Sequence, residues 1–155
     1  MRDMGRIAVA VVWTGRLVIA LAWAVIGVYM CTQSARADNY VAITTTSYHF
    51  NQGKDYNANN FGLGVERRYS DTWRGHAGFY RNSLDRTTVY GLASYTPYSL
   101  GEWRVGGATG LGTGYNSRFI GVLAGGFAIR EWKTFGVNII VHPAAVALQI
   151  KVKFN

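Results

Sequence analysis

Toward the end of the chain, apolar and polar positions alternate strictly. Val146, Leu148, Ile150, Val152 and Phe154 face one way, and Ala147, Gln149, Lys151 and Lys153 the other. A period of two belongs to a strand whose faces meet different surroundings. The same pattern runs through Phe135, Val137, Ile139 and Val141, set against Gly136, Asn138, Ile140 and His142. It returns in Phe61, Leu63, Val65 and Tyr69, set against Gly62, Gly64, Glu66 and Arg68. A strand over an ordinary soluble core alternates in this way too, so the pattern alone leaves both readings open. Burying Glu66, Arg68, Lys151 and Lys153 in a dry core costs several kcal/mol each unless they are paired. A polar barrel interior holds such residues naturally, with lipid against the opposite face.

Segmentation by alternation and turn residues predicts eight strands, near 40–50, 59–69, 73–82, 86–96, 102–113, 118–130, 133–142 and 145–154. The number is even and each length suits a tilted membrane strand. The expected fold is therefore all-β: an eight-stranded antiparallel up-and-down transmembrane β-barrel. Trp73, Trp103 and Trp132 follow short turns at spacings of 30 and 29 residues, one hairpin apart. All three are expected at one end of the barrel, as part of an interfacial aromatic belt; three unrelated surface tryptophans are the bland alternative. Two segments fit poorly. Residues 118–130 are apolar on both faces, and Thr44-Thr45-Thr46 is polar on both. A soluble lipocalin-like barrel stands as an alternative, although it needs longer strands and an apolar lining.

Composition agrees with a β protein. The 155 residues include 19 glycines and 10 tyrosines but only 2 prolines and one cysteine. Residues 1–37 read as a signal peptide, with Arg2, Arg6 and Arg16 before the apolar run Leu17–Val28 and a small-x-small site at Ala35-Arg36-Ala37. An uncleaved anchor over residues 7–31 competes with that reading. Cys31 lacks the small residues that a lipoprotein site needs before it. Removing residues 1–37 from the 155 leaves a 118-residue barrel domain, residues 38–155, without cysteine. Loss of four arginines and Asp3 takes the net charge from +8 to +5, which would suit anionic lipid headgroups.

The up-and-down order gathers four connections at one rim: 50–58, 83–85, 114–117 and 143–144. Beside them lie His49, Asn82, Ser83, Asp85, Tyr115, Asn116, Ser117 and His142. Histidine serves as a general base near neutral pH, hydroxyls need such a base to act in acyl transfer, and amides can hold an oxyanion. Turns are rich in Ser, Asn and Asp for conformational reasons alone, so Asn82-Ser83-Leu84-Asp85 also reads as a plain hairpin turn. Gly106, Ala108, Gly110, Gly112 and Gly114 share one face of the fifth strand. That face either makes room for an acyl chain or lets a narrow barrel close. There is no Cys/His cluster with ligand spacing and no phosphate loop, so neither a metal nor another cofactor is expected, and no nucleic-acid partner.

Tyr56-Asn57, Phe61-Gly62-Leu63, Trp73 and Tyr80-Arg81-Asn82-Ser83 occur in this order, followed by Thr113, Ile120–Gly126, Phe135-Gly136-Val137-Asn138, Pro143 and Lys153-Phe154. Over most of residues 48–155 the series resembles the PagP-type lipid A palmitoyltransferases. The resemblance implies an outer-membrane barrel that moves a palmitoyl chain from a phospholipid to lipid A, with those membrane lipids as partners and a monomeric state. It implies His49 at the outer end of the first strand, and Ser83 with Asn82 after the third, as the catalytic set. Asn82 stands where the family has aspartate, and an asparagine carries no charge to orient a protonated histidine; Asp85 lies in the same turn. The family's N-terminal amphipathic helix is missing and the first outer loop is shorter. A non-enzymatic small barrel with a structural, binding or exclusion role is the rival expectation.

Overall fold

In a computed structural model, residues 37–51, 55–115 and 119–154 are described. The segment read as a signal peptide, with Cys31, falls outside the described residues, as do Asn116 and Ser117. Eight strands follow one another: β1 (Asp38–His49), β2 (Gly62–Arg68), β3 (Trp73–Arg81), β4 (Thr87–Leu100), β5 (Trp103–Gly112), β6 (Gly121–Glu131), β7 (Phe135–His142) and β8 (Ala145–Phe154). Each pairs antiparallel with the next, and β1 pairs antiparallel with β8 to close the barrel. The all-β, eight-stranded, up-and-down barrel expected from the alternation is therefore the fold. Closure removes both sheet edges.

Strand boundaries depart from the expected ones where side chains replace the backbone ladder. β2 begins at Gly62 rather than near 59, because Asn60 bonds through its side chain to the Arg81 carbonyl. β4 runs on to Leu100 through an irregularity between Tyr95 and Tyr98. Pro97, which cannot donate to a ladder, sits in that bulge. Gly106 lies across from it, where a Cβ would fall 2.0 Å from the Tyr95 carbonyl oxygen.

The two ends differ. At one, here the terminal end, Asp38 and Phe154 meet the β2–β3, β4–β5 and β6–β7 turns. The β4–β5 turn is a tight Gly101-Glu102 pair between Leu100 and Trp103, with Gly101 at φ +59°. Trp73 and Trp103 open β3 and β5, and Trp132 follows β6, so all three tryptophans lie at this end. Trp73 packs on Tyr95 and Trp132 stacks on Phe135, with ring centroids 4.7 and 4.6 Å apart. The opposite, loop end carries the four longer or sharper connections predicted to share a rim.

Inside and outside are inverted relative to a soluble domain. Among the described residues, twelve buried side chains are polar or charged and six are hydrophobic. Glu66, Arg74 and Lys151 are among the most deeply buried, whereas Val65, Phe79, Val89, Leu111, Val122 and Val152 are exposed on the outer wall.

β1 contains a bulge of its own. Thr44 pairs with Gln149 and Thr46 with Leu148, which leaves Thr45 as an extra residue. Before it the even-numbered residues Tyr40, Ala42 and Thr44 point inward. After it the sense reverses: Tyr48 is 62% exposed, while Ser47 and His49 line the interior. An extra residue turns every later side chain to the other face.

Candidate active site

The terminal half of the barrel is filled by a network of charges. Lys151 Nζ bonds Glu66 Oε1 at 2.5 Å and Glu131 Oε1 at 2.7 Å. Arg74 reaches Glu131 Oε2 at 3.0 Å, and its Nε lies 3.3 Å from Glu66 Oε1. Asn138 donates from Nδ2 to Glu66 Oε2 and to Gln149 Oε1, both at 2.8 Å. His76 bonds the Ser94 hydroxyl through Nε2 at 2.8 Å. Two carboxylates and two cations balance, which is the condition under which buried ions are tolerated.

Above this network lies a cavity of about 500 Å³. Its floor includes His76, Tyr90 and Phe127, and its walls include Leu92, Leu123 and Ile140. Ala108 and Gly112 of β5 also line it, so the small-residue face of that strand points inward. Gly110 answers to a different constraint: a Cβ there would lie 2.0 Å from the Gly91 carbonyl oxygen. Room for a ligand and close approach of strands thus each explain part of the stripe. The cavity also reaches a strand margin. Pairing of β6 with β7 begins at Gly126–Val141, so Gly121–Gly125 pair only with β5. All five of those residues border the cavity, including the 75% exposed Val122.

His49 and Ser83 both line this cavity, although they are 34 positions apart in the chain. His49 stacks on Tyr56 with ring centroids 4.6 Å apart, and its Nε2 lies 3.1 Å from Ser47 Oγ. Ser47 in turn donates to Asn60 Oδ1 in a short contact. Asn60 is 4% exposed and donates from Nδ2 to the carbonyl of Arg81, at 2.8 Å, and of Asn57.

Ser83 belongs to a second hydroxyl chain. Its hydroxyl bonds Tyr115, whose hydroxyl lies 2.9 Å from that of Tyr80. Burial pushes the Tyr115 phenol above the usual tyrosine range, so it stays protonated and available as a donor.

Asn82 is buried and spends its side chain on the β3–β4 turn. Its Nδ2 donates to Thr88 Oγ1 and to the Gly114 carbonyl, while its Oδ1 accepts from the backbone N–H groups of Leu84 and Arg86. Asp85 adopts φ 61° in the same turn and bonds Arg81 through both carboxylate oxygens. That pairing holds its carboxyl below the usual range. Asp85 therefore faces Arg81 rather than the cavity. His142 lines the cavity and accepts the Ala144 N–H on Nδ1.

Three participants escaped the sequence reading: Ser47, Tyr56 in its contact with His49, and Asn60. Ser47 could have been found from the doubly polar threonine run, whose one-residue excess decides which of Ser47 and Tyr48 faces inward. Asn60 carries no such signal, because its role depends on contacts with Ser47 and Arg81 that lie far along the chain. No protein-family model matches the chain, and no curated protein matches it.

Proposed function

We propose that this protein is an outer-membrane acyltransferase that moves a fatty acyl chain from a phospholipid to lipid A. The observation that carries the reading is the shared position of His49 and Ser83 on the wall of one largely apolar cavity that borders the unpaired edge of β6. An acyl chain needs an apolar slot, and a lipid donor needs a lateral way into it. The apolar outer wall and charged interior support insertion in a bilayer. The tryptophans of the terminal end would then mark the periplasmic interface and the loop end the outer leaflet.

In this reading a lipid A hydroxyl attacks the carbonyl carbon of a phospholipid ester, and His49 takes the hydroxyl proton. A new C–O bond forms as the ester C–O bond to glycerol breaks. The departing glycerol oxygen recovers the proton from His49. Acylated lipid A and a lysophospholipid result, with no cofactor required. Ser83, at the end of the Tyr115–Tyr80 chain, supplies a hydroxyl donor for the developing oxyanion. The resemblance to the PagP-type enzymes supports the same substrates.

One observation favours a non-enzymatic barrel instead: all the hydrogen bonds of Asn82 serve its own turn, and none reaches His49. Mass spectrometry of lipid A from Gram-negative cells expressing the protein separates the two readings. An added acyl chain that disappears with Ser83→Ala and with His49→Asn supports the enzyme. Unchanged lipid A, with the protein folded in the outer membrane, leaves the structural or binding barrel.

A further inference from the structure

The hydrogen bonds around His49 have a determined polarity. Asn60 donates from Nδ2 to the carbonyl oxygens of Arg81 and Asn57, which fixes its amide orientation and turns Oδ1 toward Ser47. An amide oxygen only accepts, so the single hydroxyl proton of Ser47 is committed to Asn60. Ser47 Oγ then offers His49 nothing but lone pairs. The nitrogen facing it at 3.1 Å, Nε2, must carry a proton.

We infer that Ser47 and Asn60 are positioning residues for His49: they hold the neutral imidazole in the Nε2–H tautomer and make Nδ1 the nitrogen that accepts a proton. The relay is uncharged throughout. It takes over the orienting task for which the resemblance would demand a carboxylate at position 82, a position whose amide is engaged elsewhere. It also survives protonation. When Nδ1 takes a proton, Nε2–H still points at Ser47, so neither partner has to turn during a proton-transfer cycle. The relay depends on the Thr45 bulge, since Ser47 and His49 reach the interior only beyond it. The tautomer stands on these contacts alone; its catalytic meaning rests on the proposed acyl transfer.

The test is nitrogen-15 NMR of the full chain, labelled at histidine, in detergent micelles, with the His49 signals identified by their loss in His49→Gln. The parent is expected to show a protonated Nε2 and a bare Nδ1, with the Nε2 proton exchanging slowly. Ser47→Thr keeps the hydroxyl and should keep that pattern. Ser47→Ala should lose the Nε2 proton to rapid exchange. Asn60→Ala frees the Ser47 proton to point at Nε2, so the two ring nitrogens should move toward averaged shifts. A protonated Nδ1 in the parent would overturn the assignment, and so would an unchanged spectrum in folded Asn60→Ala. In acyl transfer, Ser47→Ala should lower kcat at least roughly tenfold at unchanged KM, with Ser47→Thr restoring it. An unchanged kcat overturns the positioning role. A parent inactive toward lipid A but with the expected tautomer would sink the proposed function and leave the His49 assignment in place.

Discussion

Ser47 Oγ lies 3.1 Å from His49 Nε2 inside the barrel, and both side chains are there because β1 holds one residue more than β8 across from it. The extra residue is Thr45. Deleting it should restore the regular alternation, turn Tyr48 inward and send Ser47 and His49 to the outer wall. We therefore expect the Thr45 deletion to abolish lipid A acylation while leaving a folded barrel. Reactivity of a Tyr48→Cys variant with a bilayer-soluble maleimide should be high in the parent background and low in the deletion. Retained acylation in the deletion would show that the bulge does not set the site.

This bulge also marks where the sequence stops being legible. Alternation gives the eight strands, their order and the end that carries the tryptophans, because each is a local pattern repeated along the chain. Thr44-Thr45-Thr46 breaks the pattern, and a break shows that something is irregular without showing which residue is extra. Residues 118–130 looked apolar on both faces for a different reason. Inside the barrel, β6 borders the cavity with Leu123 and Phe127 instead of the ionic network, while Val122 is exposed on the outer wall. Glu66 and Lys151 were recognisable as inward charges. Arg74 and Glu131, which complete their network, sit on other strands, and only barrel closure brings the four together.

Restoring the aspartate that the resemblance calls for should do harm. In Asn82→Asp, one carboxylate oxygen would replace Nδ2 and face the Gly114 carbonyl oxygen, now 3.2 Å from that nitrogen. Two acceptors would meet in a buried place with no proton between them. We expect a loss of about 1–3 kcal/mol in stability, by analogy with other buried unsatisfied groups, and no gain in acylation. Urea unfolding in lipid vesicles together with lipid A mass spectrometry would check both. A more active and equally stable variant would show that position 82 acts on the chemistry after all.

The ionic network predicts a strong non-additivity. Lys151→Met would leave Glu66 and Glu131 sharing Arg74 alone, one buried negative charge in excess. The expected cost is about 3–5 kcal/mol, typical of breaking a buried pair. Adding Glu66→Gln restores the balance between Glu131 and Arg74. The double variant should therefore be more stable than Lys151→Met by itself, as read from urea midpoints in vesicles. Simple addition of the two single losses would mean that the four charges do not act as a unit.

Two glycines on neighbouring strands should respond oppositely to the same methyl group. At Gly110 a Cβ would lie 2.0 Å from the Gly91 carbonyl oxygen and 2.7 Å from the Leu92 Cα, and both obstacles are backbone, which cannot swing aside. Gly110→Ala must push β4 and β5 apart, and we expect a loss of about 1–3 kcal/mol. At Gly91 a Cβ meets nothing within 4 Å, so Gly91→Ala should lie within about 0.5 kcal/mol of the parent. Moving β5 would also shift Ala108 and Gly112 on the cavity wall. Gly110→Ala should therefore lower acylation as well as stability, whereas Gly91→Ala should change neither. Equal unfolding midpoints for the two variants would mean that the close approach of β4 and β5 relaxes without cost, and that small residues on β5 serve the cavity alone.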